Sequence, residues 1–161
     1  MYLTKIMPMV LTVVIVSLVG DLSRAAGNPE DIRPLPSVLQ DIEKHIAELT
    51  SNLEPIKKRV EFLHSLPPTH DPVIQELRDL DLKGWELHLE QWRLQLDHLR
   101  FTKSLLEKAR SGGNEDQSLK TEWRVHESGY RDNLETYRQK RNAIEEARLV
   151  TEGRMFERYL P

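Results

Sequence analysis

The stretch Gly84–Phe101, GWELHLEQWRLQLDHLRF, decides the fold, because its apolar residues fit both a strand and a helix. Over short spans they alternate with polar residues, which is typical of a β-strand. The alternation slips at Glu90-Gln91 and again at Asp97-His98, and neither pair is turn chemistry. A spacing of seven is kept throughout, which predicts an α-helix. Three rows have that spacing: Trp85, Trp92, Leu99 and Leu106; Leu80, Leu87, Leu94 and Phe101; Leu82, Leu89 and Leu96.

These rows form two apolar seams on nearly opposite faces of the helix. The Trp85 and Leu82 rows lie side by side as a first seam, and the Leu87 row belongs to a second. Two seams predict a middle helix with a neighbour on each side. Counting outward from the two turns, we expect the first seam to face a third helix, with Trp85 opposite Ile144. The second seam would face the first helix, with Leu87 opposite Leu49. Alternatively, one seam meets a second copy of the protein.

The flanking sequence predicts a long helix on each side of this one. From Leu35 to Leu63 the apolar residues are spaced alternately by four and three, which is a heptad seam. Pro55 lies inside it, and we expect a kink there, the alternative being two helices that meet near Asn52. Asp71-Pro72 is a strong start signal for the next helix. The predicted helices span about 37–66, 72–110 and 117–159.

The expected fold class is therefore all-α. Residues 37–161 would form an elongated antiparallel coiled-coil-like layer or bundle of three long helices. This domain would follow an N-terminal signal peptide or anchor and a linker.

The first 36 residues differ from the rest of the chain. Lys5 precedes an apolar run, and Ser23 and Ala25 have the small side chains of a cleavage site after Ala25. Residues 1–25 are therefore a predicted signal peptide or, alternatively, a membrane anchor, with residues 1–20 as a tether. Residues 26–36 are rich in proline and predict an extended linker. Both alternatives place the helical domain outside the cytoplasm.

Composition narrows the function class further. The formal net charge is −3 with both signs interleaved, so we expect no nucleic acid partner. The chain has no cysteine and no Asn-X-Ser/Thr sequon. These absences favour a bacterial periplasmic protein, either secreted or anchored to the inner membrane, over a eukaryotic secreted one.

No catalytic or metal-binding motif is present in the sequence. Nucleophile, phosphate-loop, nucleotide-fold and zinc-protease patterns are all missing, so we expect no enzyme activity, no cofactor and no metal. Of the six histidines, His98 is expected in the second seam opposite Leu39, and His126 in the third helix opposite Lys103. We interpret both as partly buried polar positions that fix the helix register.

One end of the predicted layer has more apolar residues than three helix ends require. Clustered exposed apolar side chains usually mark a partner site. The alternative is that the C-terminus folds back and covers the first two helices. The candidate partner-binding residues are Phe62, Leu66, Ile74, Leu149, Phe156, Tyr159 and Leu160.

These patterns favour a protein that functions by binding other proteins and not by catalysis. We expect an exported, non-catalytic structural or adaptor subunit of an assembly associated with the cell envelope. Its partner would be a protein of that complex or a second copy of itself. The alternative is a periplasmic chaperone or holdase that grips its clients between helical arms.

Overall fold

A computed structural model of the chain describes residues 34–111 and 116–160. They form three α-helices, α1 (Leu35–Ser65), α2 (Pro72–Ser111) and α3 (Asp116–Tyr159), and these two ranges contain no β-strand. The all-α prediction and the helical interpretation of Gly84–Phe101 are confirmed. The predicted signal peptide or anchor and most of the linker lie outside the described residues. None of the three helices is long and apolar enough to cross a bilayer.

The chain divides into two units inside α1, between Ile42 and Glu43. The second unit contains the larger part of α1 together with α2 and α3. Within it α1 runs through Pro55 without interruption, so the alternative of two helices meeting near Asn52 is wrong. The heptad seam explains this continuity, because the buried residues before and after the proline lie on the same face of one helix.

The core of the second unit is formed mainly by α1 and α2. Only two residues of α3, Tyr130 and Thr151, are buried. The first two helices therefore contribute nearly all of the buried apolar side chains of this unit. The buried apolar residues of the first two helices in this unit are Leu49, Leu53, Ile56 and Val60 of α1, and Leu80, Leu87, Leu89, Leu96, Leu99 and Leu105 of α2.

Helices α1 and α2 are antiparallel, but not in the predicted register. Glu43 pairs with Lys103 at 2.9 Å, and the His64 Nε2 atom lies 2.9 Å from a carboxylate oxygen of Glu86. A hairpin centred near Pro68 would instead set Glu86 opposite residue 50. The observed pairing is displaced from that register by more than one heptad.

The connection between α1 and α2, residues 66–71, explains the displacement. Its chain runs on past the end of α1 alongside the first turns of α2. The carbonyl of Pro67 accepts a hydrogen bond from Arg78 (2.8 Å), and the amide of Thr69 donates to the side chain of Gln75 (2.9 Å). Extended chain advances about 3.3 Å per residue against about 1.5 Å in a helix. A short extended connection therefore shifts the register by several helical turns.

Helices α2 and α3 are antiparallel in the predicted register. Arg148 of α3 donates a hydrogen bond to Asp81 of α2 at 2.8 Å. Asp81 lies four residues before Trp85, and Arg148 lies four residues after Ile144, so this contact belongs to the register in which Trp85 and Ile144 are level. The counting rule for this hairpin is confirmed.

The two seams of α2 face the opposite neighbours from those predicted. Phe101 of the second seam stacks on His126 of α3, with ring centroids 3.7 Å apart. Trp85 of the first seam lies under the guanidinium of Arg59 of α1, 5.9 Å from the ring centroid. Residue counting fixes which positions are level but not which face they occupy, because both seams have the same period. Leu87 and Leu94 of the second seam also line a hollow between α2 and α3.

Candidate functional site

The structure divides the seven predicted partner-binding residues between two places at one end of the second unit. Six of them are exposed, and Leu66 is half-buried. The hydroxyl of Tyr159 donates a hydrogen bond to Asp71, which brings the end of α3 to the start of α2. Phe62, Leu66 and Ile74 lie at the end of α1, in the connection and in the first turn of α2; Leu149, Phe156, Tyr159 and Leu160 lie at the end of α3.

Asp71 joins the start of α2 to the end of α3. One of its carboxylate oxygens accepts hydrogen bonds from the amides of Val73 (2.8 Å) and Ile74 (3.3 Å), so it is the N-cap predicted from the Asp-Pro pair. Arg158 lies 3.4 Å from the same oxygen. The pKa of Asp71 is lowered, chiefly by the hydrogen bond from Tyr159. Tyr159 of the last turn of α3 therefore contacts the start of α2.

A second polar group, one to two turns earlier along α3, joins this helix to α2. Thr151 is fully buried, and its hydroxyl lies 2.9 Å from a carboxylate oxygen of Glu76 and 2.9 Å from the carbonyl of Ala147. Arg154 donates to the same oxygen of Glu76 at 2.5 Å. The pKa of Glu76 is lowered, first by the hydrogen bond from Arg154 and then by that from Thr151. Polar side chains thus occupy the face of α3 that lies against α2.

The opposite face of this end of α3 is apolar. Leu149 is 69% exposed, Phe156 54% and Leu160 64%. At 3.6 residues per turn, these three lie about 140° to 180° around the helix from the buried Thr151. We call Leu149, Phe156 and Leu160, with Gly153 between them, the apolar stripe. Of the predicted partner residues, the structure brings together these three; Phe62 and Ile74 belong to other helices and Tyr159 is held by Asp71.

Acidic side chains border the apolar stripe on both sides. Glu146 and Glu157 are exposed on one side, and neither makes an ion pair within the described chain. Glu145 and Glu152 lie on the other side, and each accepts a hydrogen bond of 2.8 Å from the arginine four residues before it. The border with Glu146 and Glu157 therefore carries unpaired negative charge, whereas Arg148 and Arg154 donate to carboxylates of α2 and Arg158 donates to that of Asp71.

A different cluster holds the other half of the α2–α3 pair. His98 of α2 is 2% exposed and stacks against two rings of α3. Its ring centroid lies 3.9 Å from that of Tyr130 and 5.3 Å from that of His126, with ring planes inclined by 10° and 4°. Phe101 of α2 also stacks on His126. Both histidines were predicted to be partly buried, and His126 is half-buried whereas His98 is fully buried. The predicted neighbour of His98 is wrong, because His98 lies against rings of α3 and not against α1. That the two histidines fix the register stays a prediction.

The charge state of the ring cluster follows from its burial. Removal from water lowers the pKa of His98 to about 4, although Glu127 at 3.7 Å opposes the shift. Burial likewise raises the pKa of Tyr130 to about 12, with Glu127 acting in the same direction. At neutral pH the cluster therefore contains an uncharged imidazole and an uncharged phenol.

The cluster has ligand-type atoms but not the arrangement of a metal centre. His98 Nδ1, His126 Nε2 and Glu127 Oε2 are buried without a hydrogen-bond partner. A metal lies in the plane of the imidazole that binds it, and parallel stacked rings direct their lone pairs into separate planes. Across residues 34–111 and 116–160, no group of three or more His, Cys, Asp or Glu has metal-binding geometry.

Sequence reasoning missed the acidic rim and the role of Glu127. The signals were present: Glu146 and Glu157 are spaced by eleven, as Leu149 and Leu160 are, and Glu127 directly follows His126. Heptad counting along α3 from Thr151 would have separated an inward polar face from an outward apolar one.

Comparison with known proteins identifies no relative. No protein-family model, no curated protein and no solved structure matches this chain.

Proposed function

We propose that this chain is an exported, non-catalytic structural or adaptor subunit of a cell-envelope assembly, and that it binds a protein partner through the apolar stripe of α3. Residues 1–25 would direct export or anchor the chain, and the three helices would form an elongated antiparallel coiled-coil-like layer that presents the stripe. The single observation that carries the proposal is the distribution of polar and apolar residues at the end of α3. Its inner face buries the polar Thr151, and its outer face exposes the apolar Leu149 and Phe156.

An inverted amphipathic helix end is costly unless something covers it. Leu149, Phe156 and Leu160 would be expected to face α2 if packing within the chain alone determined the sequence. Instead, Arg148, Thr151 and Arg154 face α2 through hydrogen bonds to its carboxylates. Exposed apolar residues at helical spacing are typical of a site for another helix.

The test is capture of a partner from membranes solubilised in mild detergent. The full chain, Leu149→Ser and Phe156→Ser are compared with Val125→Ser, since Val125 is also an exposed apolar residue of α3, 71% accessible, but lies outside the stripe. We expect a stoichiometric partner to bind the unaltered chain and Val125→Ser, and to be lost from both stripe variants. Melting temperatures should stay equal, which separates loss of binding from loss of folding.

Point substitutions are sharper than removal of the C-terminus. Deleting residues 155–161 would also remove Arg158 and Tyr159, whose contacts with Asp71 hold α3 to α2. A broad set of unfolded proteins in place of one partner would favour the chaperone or holdase alternative. Equal capture by Phe156→Ser and the unaltered chain would contradict the proposed function.

A further inference from the structure

We propose that the partner segment for the apolar stripe is a basic amphipathic helix. The inference rests on the proposed function and specifies the chemistry of the partner that it requires. It stands on the spacing of the stripe and on the charges along its borders.

The spacing of the stripe matches one helix packing on another. Leu149, Gly153, Phe156 and Leu160 follow intervals of four, three and four, which is the heptad pattern of a coiled-coil seam. A Cβ atom placed on Gly153 would meet nothing within 4 Å, so the seam has an open hole at its middle. The stripe is about 16 Å long at 1.5 Å per residue, or three helical turns. A partner helix of similar length would place one large apolar side chain over Gly153.

The charges along the stripe specify the sign of the partner. Glu146 and Glu157 on one border have no ion pair within the described residues. The nearby basic residues are already engaged, since Arg148 and Arg154 donate to carboxylates of α2 and Arg158 donates to that of Asp71. A helix that lies in the stripe would therefore meet carboxylates at its edges, and lysines or arginines there would be complementary.

The same charges argue against two other occupants. A second copy docked by the same stripe would bring acidic borders together, which is unfavourable at close range. An anionic membrane surface would be repelled in the same way, because attraction to such lipids requires lysine and arginine near the apolar face.

The test uses synthetic helical peptides as probes for the full chain. Three peptides are compared: a leucine–lysine heptad helix, the same helix with glutamates for lysines, and a scrambled leucine–lysine peptide without an apolar face. Binding is followed by fluorescence anisotropy at low and at physiological salt. We expect only the first peptide to bind, more weakly at higher salt, and Phe156→Ser to abolish its binding.

A paired substitution isolates the role of charge. In Glu146→Gln/Glu157→Gln the binding of the leucine–lysine helix should weaken by about three- to tenfold. The matched control is Asp132→Asn/Glu61→Gln, which removes two exposed acids without an ion pair elsewhere in the described chain and should bind as the unaltered protein does. Equal binding of the glutamate or scrambled peptide would overturn the inference, as would an unchanged affinity in the double Gln variant.

Failure of the inference can be told apart from failure of the proposed function. If the native partner still binds Glu146→Gln/Glu157→Gln but does not bind Phe156→Ser, the basic helix is contradicted and the adaptor role is not. Capture that survives Phe156→Ser would remove both. A dimer in sedimentation that Leu149→Ser dissociates would identify a second copy as the occupant and overturn the inference.

Discussion

The two halves of the α2–α3 pair are held together by different chemistry. Around His98 and Tyr130 the inward face of α3 presents rings, and the contact is stacked and nearly dry. Around Thr151 the inward face presents a hydroxyl and guanidinium groups, and hydrogen bonds to α2 carboxylates replace apolar packing. The apolar side chains of the second half lie outside instead.

This difference separates the half of α3 whose apolar side chains pack within the chain from the half whose apolar side chains are exposed. A ring cluster buried within the chain stabilises the hairpin whatever its surroundings. A polar inner face with an exposed apolar outer face gives less stability to the isolated chain and leaves surface for another molecule. The two halves can be compared by removing one contact from each.

The largest loss of stability is expected at the ring cluster. Tyr130→Ala removes a buried ring between the helices, and we expect the free energy of unfolding to fall by about 3 kcal/mol. Tyr159→Ala is the matched change in the other half, where the ring is half exposed, and its loss should be clearly smaller. Urea denaturation of the two variants measures both. Equal losses would show that the two halves contribute equally to stability and would contradict the difference described between them.

Acid should weaken the same cluster next. The unfolded His98 has a pKa near 6.5, and the folded one about 4, so between these values the unfolded chain binds a proton that the folded chain does not. The contribution is fully present above pH 6.5, and stability falls as the pH falls towards 4, by up to about 3 kcal/mol. Urea denaturation at pH 7 and at pH 4.5 measures most of this loss.

Two variants assign the acid effect to His98. His98→Phe keeps a stacked ring without a titrating group, and its stability should change less between pH 7 and pH 4.5. His64→Gln removes an exposed imidazole and should keep the full change. The lowered pKa of His88 acts in the same direction and remains in both variants. The lowered pKa values of Asp71 and Glu76 remove stability only at more acid pH. A pH dependence that His98→Phe leaves intact would place the acid-sensitive group elsewhere.

The sequence predicted the helices and one of the two registers. The α2–α3 register follows from residue counting, because the level pairs, such as Asp81 with Arg148, lie at equal distances from the turn. The α1–α2 register does not, because Pro67 and Thr69 run alongside α2, and nothing in the pattern shows that the connection is extended there. Nor could counting assign the seams of α2, since a face depends on three-dimensional handedness and both seams share one period.

The candidate site was predicted in part for a similar physical reason. Leu149 and Phe156 stand out as apolar residues near the C-terminus, but composition alone cannot separate an inward from an outward apolar residue. That separation comes from Thr151, whose burial defines the inner face of α3. Tyr159 was grouped with the stripe by proximity in sequence, although its hydroxyl is bound to Asp71.

A moderate loss is expected where the hydroxyl of Thr151 is removed. Thr151 is fully buried, and Thr151→Val has nearly the same shape but removes the hydroxyl that contacts Glu76 and Arg154, so we expect stability to fall by about 1 kcal/mol. Thr151→Ser keeps the hydroxyl and serves as the control for the hydrogen bond, apart from its missing methyl group. A valine variant more stable than the serine variant would mean that packing and not hydrogen bonding holds this half.

The smallest change in stability is expected at the apolar stripe. Leu149→Ser alters an exposed side chain on the face of α3 away from α2, so the free energy of unfolding should change by no more than about 0.5 kcal/mol. A loss as large as that of Thr151→Val would mean that the stripe packs within the chain. Unchanged stability together with loss of partner capture in the same variant would assign Leu149 to binding and not to folding.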